Sequence, residues 1–312
     1  MDDLPKIELH LHLEGAAPPD LIRAMAAETR TDLSGIFDAT GAYAYTGFEG
    51  FLRTYEAATS VLTSPRAYAR LAGTVCEALA EQGVIYAETF LSPDFCGGGD
   101  VEAWRDYLAA IAEAARHSEA QGGPILKGVV TCIRHFGPER AKAAALCAAE
   151  TAGDVVVGFG MAGAETVGAP RDFAWAFDCA REAGLHLTAH AGEWCGPDSV
   201  RAALDDLRVA RIGHGVRAIE DPRLVERLAE RGIVLEVCPG SNLALGLYPD
   251  IRAHPIARLR AAGVPVTVST DDPPFFHTTM GREYAALAEA FGWEAGDFAE
   301  INRTAARAAF CD

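Results

Sequence analysis

Two periods of apolar and polar residues alternate along most of the chain. Segments with apolar side chains three and four positions apart, such as 101–120, 138–151 and 222–231, lead into short runs rich in Val, Ile and Leu. The first pattern gives a helix one apolar face, and the second gives strands buried on both sides, as in parallel sheets. The short runs fall at 83–91, 125–132, 155–159, 186–190, 211–214, 233–237 and 264–269. The alternating stretch Lys6-Ile7-Glu8-Leu9-His10-Leu11-His12-Leu13-Glu14-Gly15 supplies one more at the start. Helices are predicted at about 18–28, 66–82, 101–120, 138–151, 171–183, 198–207, 222–231 and 254–262.

Strands alternating with helices argue for parallel βαβ units. Eight of them in a chain of 312 residues predict a (β/α)8 TIM barrel with additional helices after the first strand. A doubly wound open sheet is the alternative, but no GxGxxG follows the first strand to support it. No low-complexity linker divides the chain, so residues 1–312 are read as one domain. Residues 31–66 are less regular, with Gly35, Gly41, Gly47 and Gly50 between aromatic patches. There Phe48, Phe51 and Tyr55 recur at helical spacing, as a helix packed on the core or as a lid over a pocket.

Charge narrows the partners. A net charge of −17 repels phosphate and disfavours both nucleic acid and an anionic membrane surface, leaving a small molecule as the easier ligand. No run of 18 apolar residues is present, and Met1-Asp2-Asp3-Leu4-Pro5 lacks the features of a signal peptide. Eight scattered cysteines without a CxxC pair read as reduced thiols, and a cytoplasmic location is expected.

The candidate chemistry sits where a barrel should carry it, at the C-terminal ends of strands. His10 and His12 end the first, and their i, i+2 spacing points both imidazoles to one side. His190 ends the fifth in His190-Ala191-Gly192-Glu193, His214 the sixth in Gly213-His214-Gly215, and Asp271 and Asp272 the eighth. A lone histidine at a strand end is ordinary hydrogen-bonded filler, and Asp-Asp-Pro is an ordinary turn or helix cap. Four of nine histidines and paired carboxylates on one predicted face make coincidence the poorer account. His117, His135, His186, His254 and His277 lack the pattern and are read as structural.

Three imidazoles and a carboxylate with room for water describe a catalytic metal site. Zn2+ is the leading choice, one per chain, with Fe2+ or Mn2+ as alternatives. Such an ion turns water into a nucleophile at neutral pH, which still needs a proton acceptor and a donor to substrate. Glu193 and His214 are the free candidates, and Asp272 can hydrogen-bond substrate.

HLHLEG, HAGE, GHG and STDDP, in this order and at these intervals, resemble the adenosine/adenine deaminase family of metal-dependent amidohydrolases, from Pro5 to about Tyr284. The resemblance implies His10, His12, His190 and Asp271 as metal ligands. It implies Glu193 as the acid that protonates purine N1 while hydroxide adds to C6, and His214 as the residue that orients and deprotonates the water. Asp272 matches the partner of N7, and Gly163 the backbone contact to N3. Ser241-Asn242 resembles the family's P-x-S-N segment, in a supporting role.

Three positions depart from the adenosine-specific pattern. Glu14 stands where that branch commonly has Asp reaching a ribose hydroxyl, and resembles the adenine branch. Phe90 replaces an arginine and Gly160 an aspartate. The expected substrate is adenosine with 2′-deoxyadenosine, then adenine, then a modified adenine nucleoside. Glu14 has a plainer reading as a helix-entry carboxylate near Pro18-Pro19. Two rivals are another amidohydrolase reaction on the same scaffold and a silent binding protein with a structural metal. A polynucleotide deaminase would need H-x-E with P-C-x-x-C, which is absent.

Overall fold

The computed structural model describes residues 4–311. Its strands are β1 (Lys6–His12), β2 (Val84–Leu91), β3 (Ile125–Ile133), β4 (Val156–Ala162), β5 (His186–Ala191), β6 (Arg211–His214), β7 (Val234–Val237) and β8 (Val266–Val268). All neighbours pair in parallel, in the order β1 to β8. A bridge between Leu11 and Asp271 brings the last strand back to the first. There His12 N–H donates to the Asp271 carbonyl at 3.1 Å and Asp271 N–H to the His10 carbonyl at 3.0 Å. The (β/α)8 barrel is thus nearly closed, and the residue that joins its ends is one of the candidate ligands.

The helices are α1 (Pro19–Thr29), α2 (Gly47–Thr59), α3 (Pro65–Glu81), α4 (Val101–Ala120), α5 (Pro138–Glu150), α6 (Ala174–Glu182) and α7 (Pro197–Ala202). They continue with α8 (Pro222–Arg231), α9 (Pro239–Ala244), α10 (Ile256–Ala261), α11 (Pro273–Phe276), α12 (Met280–Phe291) and α13 (Ala295–Ala308). Many begin with proline, whose missing N–H costs nothing in a first turn. Side-chain caps fix other starts: Ser64 accepts from Ala67 N–H at 3.2 Å, and Asp100 from Ala103 N–H at 2.9 Å. The main core lies between strands and helices, where Leu71, Val75 and Trp104 are buried with Leu91, Val130 and Phe159.

The strand and helix spans agree with the sequence pattern to within a few residues, with informative exceptions. The helix expected over 171–183 starts as a tighter turn, Pro170–Phe173, before α6. That expected over 198–207 changes at α7's end into a wider turn, Ala203–Leu207, which stops at Arg208 in the left-handed region. Within 31–66, α2 carries Phe48, Phe51 and Tyr55 on one face, and Phe51 packs on Phe275 and Phe276 at 5.7 and 5.1 Å. No element was anticipated after residue 269, where α11, α12 and α13 run; Asn302 of α13 accepts from Ile7 N–H at 3.1 Å.

Candidate active site

At the C-terminal mouth of the barrel, ligand atoms of His10, His12, His190 and Asp271 lie within 4.8 Å of one another. His12 Nε2 is 3.2 Å from His190 Nε2 and 3.3 Å from Asp271 Oδ1, and His10 Nε2 is 3.6 Å from the same oxygen. A tetrahedral ion with bonds of about 2.0–2.1 Å separates its ligand atoms by about 3.3–3.4 Å, so the spacing fits. His10 Nε2 is also buried without a hydrogen-bond partner. Its other nitrogen, Nδ1, faces Glu236 Oε2 at 2.8 Å, which favours the tautomer whose Nε2 lone pair points into the group. A second, overlapping set exchanges His12 and His190 for His214 and Cys238. Burial, then nearby carboxylates, hold the Cys238 thiol well above its ordinary pKa, making it the poorer donor.

The electrostatics separate the roles. Burial would lower the His10 pKa, but hydrogen bonds and charge from Asp271 and Glu236 raise it to about 9, so this point favours positive charge. Burial keeps His190 well below its ordinary value and lowers His12, which holds both imidazoles neutral as ligation requires. Asp271 is lowered despite its burial, by hydrogen bonds from His10 and His12. Burial, then the charge of Asp271, raises Asp272 well above the carboxylate range. One carboxylate of the adjacent pair is ionised and the other protonated.

Glu193 and His214 lie together beside the candidate ligands, His214 Nδ1 3.8 Å from Glu193 Oε1 and Nε2 3.9 Å from Asp271 Oδ2. Burial, followed by the charges of Asp271 and Glu165, raises the Glu193 carboxyl well above its usual range. Burial lowers His214 to about 3, leaving it neutral at pH 7. A protonated acid next to a neutral base is the pairing proton transfer needs. Asn242 Nδ2 lies 3.3 Å from each of them, and its carbonyl faces His254 Nε2 at 3.1 Å. His254, read as structural from sequence, holds that bridge. Ser241 Oγ donates to Asp271 Oδ2 at 2.7 Å.

Backbone conformation marks the same residues. His214 and Asp271 have φ of 60° and 66°, in the left-handed region that non-glycine residues rarely occupy. Gly163 has φ of 95°, and a Cβ there would meet His135 Nδ1 at 2.7 Å. His135 lines the cavity with Gly163, Ser92, Thr131 and Ile133, so its reading as purely structural is corrected. His277 is exposed and apart from it.

The remaining wall is largely apolar, built from Phe48, Phe51, Leu52 and Tyr55 of α2 with Phe95 and Phe276. Residues 47–59 therefore line the pocket as well as packing on the core. Glu14 is buried in this wall and accepts from Tyr68 Oη at 2.9 Å, so it is no helix-entry carboxylate. Burial raises it to about 7, against hydrogen bonds that include those from Tyr68 and Tyr55.

Two acids escaped the sequence reading. Glu236 supports His10, and its one sequence signal is a charge inside the apolar run Ile233-Val234-Leu235-Glu236-Val237. Glu165 accepts from the N–H groups of Gly192, Glu193, Trp194 and Cys195 and from Ser199 Oγ, at 2.5–3.1 Å, fixing the turn that carries Glu193. Nothing in the sequence announced that contact.

A (β/α)8 barrel with this donor group at its C-terminal mouth has the architecture of the amidohydrolases. Within that class, the sequence model of the adenosine deaminase family matches residues 5–312, and the chain belongs to that family. An adenine deaminase of Rhizobium leguminosarum bv. trifolii is 49% identical over 310 residues, covering 99% of this chain and 95% of its own. The crystal structure of an adenine deaminase from Arthrobacter aurescens superposes with a TM-score of 0.89 at 28% identity, covering 99% of this chain and 94% of that one. The crystal structure of an amidohydrolase from Burkhoderia ambifaria with bound zinc superposes with a TM-score of 0.89 at 29% identity, covering 100% of this chain and 87% of that one.

Proposed function

We propose that the protein is an adenine deaminase that hydrolyses the 6-amino group of the free base to give hypoxanthine and ammonia. The observation that carries this is the 49% identity to an adenine deaminase along nearly the whole of both chains. It reverses the order expected from the motifs, which put adenosine first. The pocket supports the smaller substrate. A ribose would bring several hydroxyls against Phe48, Phe51, Leu52, Phe95 and Phe276, and unpartnered polar groups in such a wall cost binding energy. The departure at Phe90 lies in the same cavity, and a Cβ at Gly160 would meet its ring at 3.5 Å.

His10, His12, His190 and Asp271 would hold the metal, for which Zn2+ is the proposed identity given its fit to three imidazoles and a carboxylate. Bound there, the ion supplies Lewis acidity and a water whose pKa falls to about 7. The chain's own residues do the remainder. His214, neutral at pH 7, orients the water and accepts its proton. Glu193, held protonated by burial, gives its proton to N1 as the nucleophile adds to C6. Asp272, protonated and with Oδ1 unpartnered, donates to N7, while the backbone at Gly163 faces N3. Glu14, buried and hydrogen-bonded by Tyr68, is the carboxyl that would meet the five-membered ring end.

The test compares kcat/KM for adenine, adenosine, 2′-deoxyadenosine and an N6-modified adenine on metal-replete protein, followed by loss of ultraviolet absorbance. Adenine should exceed the nucleosides by about 100-fold or more, the scale on which a site rejects a substrate whose polar groups it cannot pair. Equal or faster turnover of adenosine would refute the base assignment.

A further inference from the structure

The segment that follows α13 lies at the mouth of the barrel opposite the histidines, yet it clusters with Phe90 and meets Arg211, the partner of Glu236. We propose that Phe310 is a positioning residue for His10, His12 and His190, bracing them through the barrel interior by one apolar and one polar route.

The apolar route is one small cluster. Phe310 is buried in one cluster with Phe90 and Val129. Phe90 in turn meets His10 edge-on at 4.7 Å between centroids, and His12 and His190 at 4.8 and 5.2 Å. A single phenyl ring therefore packs near all three imidazoles, and Val129 and Phe310 complete the apolar cluster that holds it. Close-packed interiors transmit such displacements because there is no free volume to absorb them.

The polar route runs beside it. Phe310 N–H donates to Glu88 Oε1 at 2.5 Å, and Arg211 Nη2 donates to Glu88 Oε2 at 2.5 Å. The Arg211 guanidinium lies over the Phe310 ring at 3.5 Å and donates from Nη1 to the Ala308 carbonyl at 2.8 Å. Its Nε donates to Glu236 Oε1 at 2.6 Å, and Glu236 Oε2 meets His10 Nδ1 at 2.8 Å. Glu88 on β2 and Arg211 on β6 are four strands apart in an eight-stranded barrel, so their contact crosses the interior. Buried networks of this kind hold geometry only while every member is satisfied.

The seat for the ring is shaped to hold it. A Cβ at Gly158 would come within 2.8 Å of Phe310 Cδ2, and the His186 ring stacks on Phe310 at 4.9 Å and 14°. Phe310 does not itself line the proposed substrate pocket, so its effect must pass through Phe90 and Glu236.

The experiment uses the full chain loaded with zinc, and in parallel with cobalt(II). Uptake by the wild type is measured first and tests the metal assignment; the comparison with Phe310→Ala tests the brace, and neither readout depends on which purine is turned over. Phe310→Ala should release zinc to a chelator about tenfold faster, at a temperature where circular dichroism shows it folded, as expected for support lost behind metal ligands. Its cobalt absorption bands should also shift, which loss of global stability alone does not cause. A Trp175→Ala control at an exposed position should match the wild type in both. If Phe310→Ala does not fold, Phe310→Leu is read by the same assays, with release about threefold faster. Release within about twofold of wild type together with a superimposable cobalt spectrum would overturn the proposal.

Discussion

Replacing Glu236 by glutamine probes the support of His10 without changing side-chain size. Three donors converge on this carboxylate: His10 Nδ1 at 2.8 Å, Thr188 Oγ1 at 2.9 Å and Arg211 Nε at 2.6 Å. Burial alone would raise its pKa, but the charge of Arg211 and the hydrogen bond from His10 lower it from 4.5 to about 2. A carboxyl held that far down contributes about 3 kcal/mol to folding at neutral pH. Because the folded-state value is the lower one, this contribution is present above about 4.5 and is lost as pH falls toward about 2. Glutamine should therefore cost the metal-free protein about 3 kcal/mol at pH 7, with the difference from wild type shrinking through that acid window. Urea unfolding at a series of pH values measures it. The amide has a second consequence. If its oxygen serves Arg211 and Thr188, its NH2 faces His10 Nδ1 and forces the proton to Nε2, the nitrogen that should hold metal. Affinity should fall about 10–100-fold. A cost below about 1 kcal/mol, or one constant from pH 7 to pH 3, would refute the reasoning.

Glu193→Gln should keep its metal and lose about 10²–10⁴ in kcat, read from steady-state kinetics beside metal analysis; turnover within a few-fold of wild type would remove Glu193 as the acid. Asn242→Ala breaks the bridge between Glu193 and His214 and should lower kcat more than it raises KM, by roughly tenfold. Tyr68→Phe removes the 2.9 Å hydrogen bond to Glu14 and should change the adenine-to-adenosine ratio of kcat/KM while leaving metal content unchanged. Dialysis against a strong chelator should abolish turnover, with recovery when the ion is restored.

The barrel was legible because strands and helices impose different periods, and because reactive residues at strand ends share one face whatever their distance along the chain. His10, His12, His190 and Asp271 stood out as histidines and an acid at the ends of apolar runs. Their supports did not. Glu236 lies 226 positions from His10 and Glu165 reaches the turn at 192–195 from another loop, so only the folded barrel brings them together. Residues 31–66 show the converse: glycine-rich spacing hid the boundaries of α2, while its aromatic residues still announced a buried face. Substrate choice was hardest to read, since the motifs describe the chemistry at C6 while the proposed selection rests on a wall whose residues, Glu14, α2, Phe95 and Phe276, come from four separate segments.

The left-handed backbone at His214 and Asp271 sets the site against the scaffold that carries it. Each such residue costs about 1–3 kcal/mol that glycine would not. A library selected for heat tolerance alone should therefore enrich glycine at these two positions and yield hardier, inert barrels. Thermostabilisation of this enzyme has to be screened for turnover at every round.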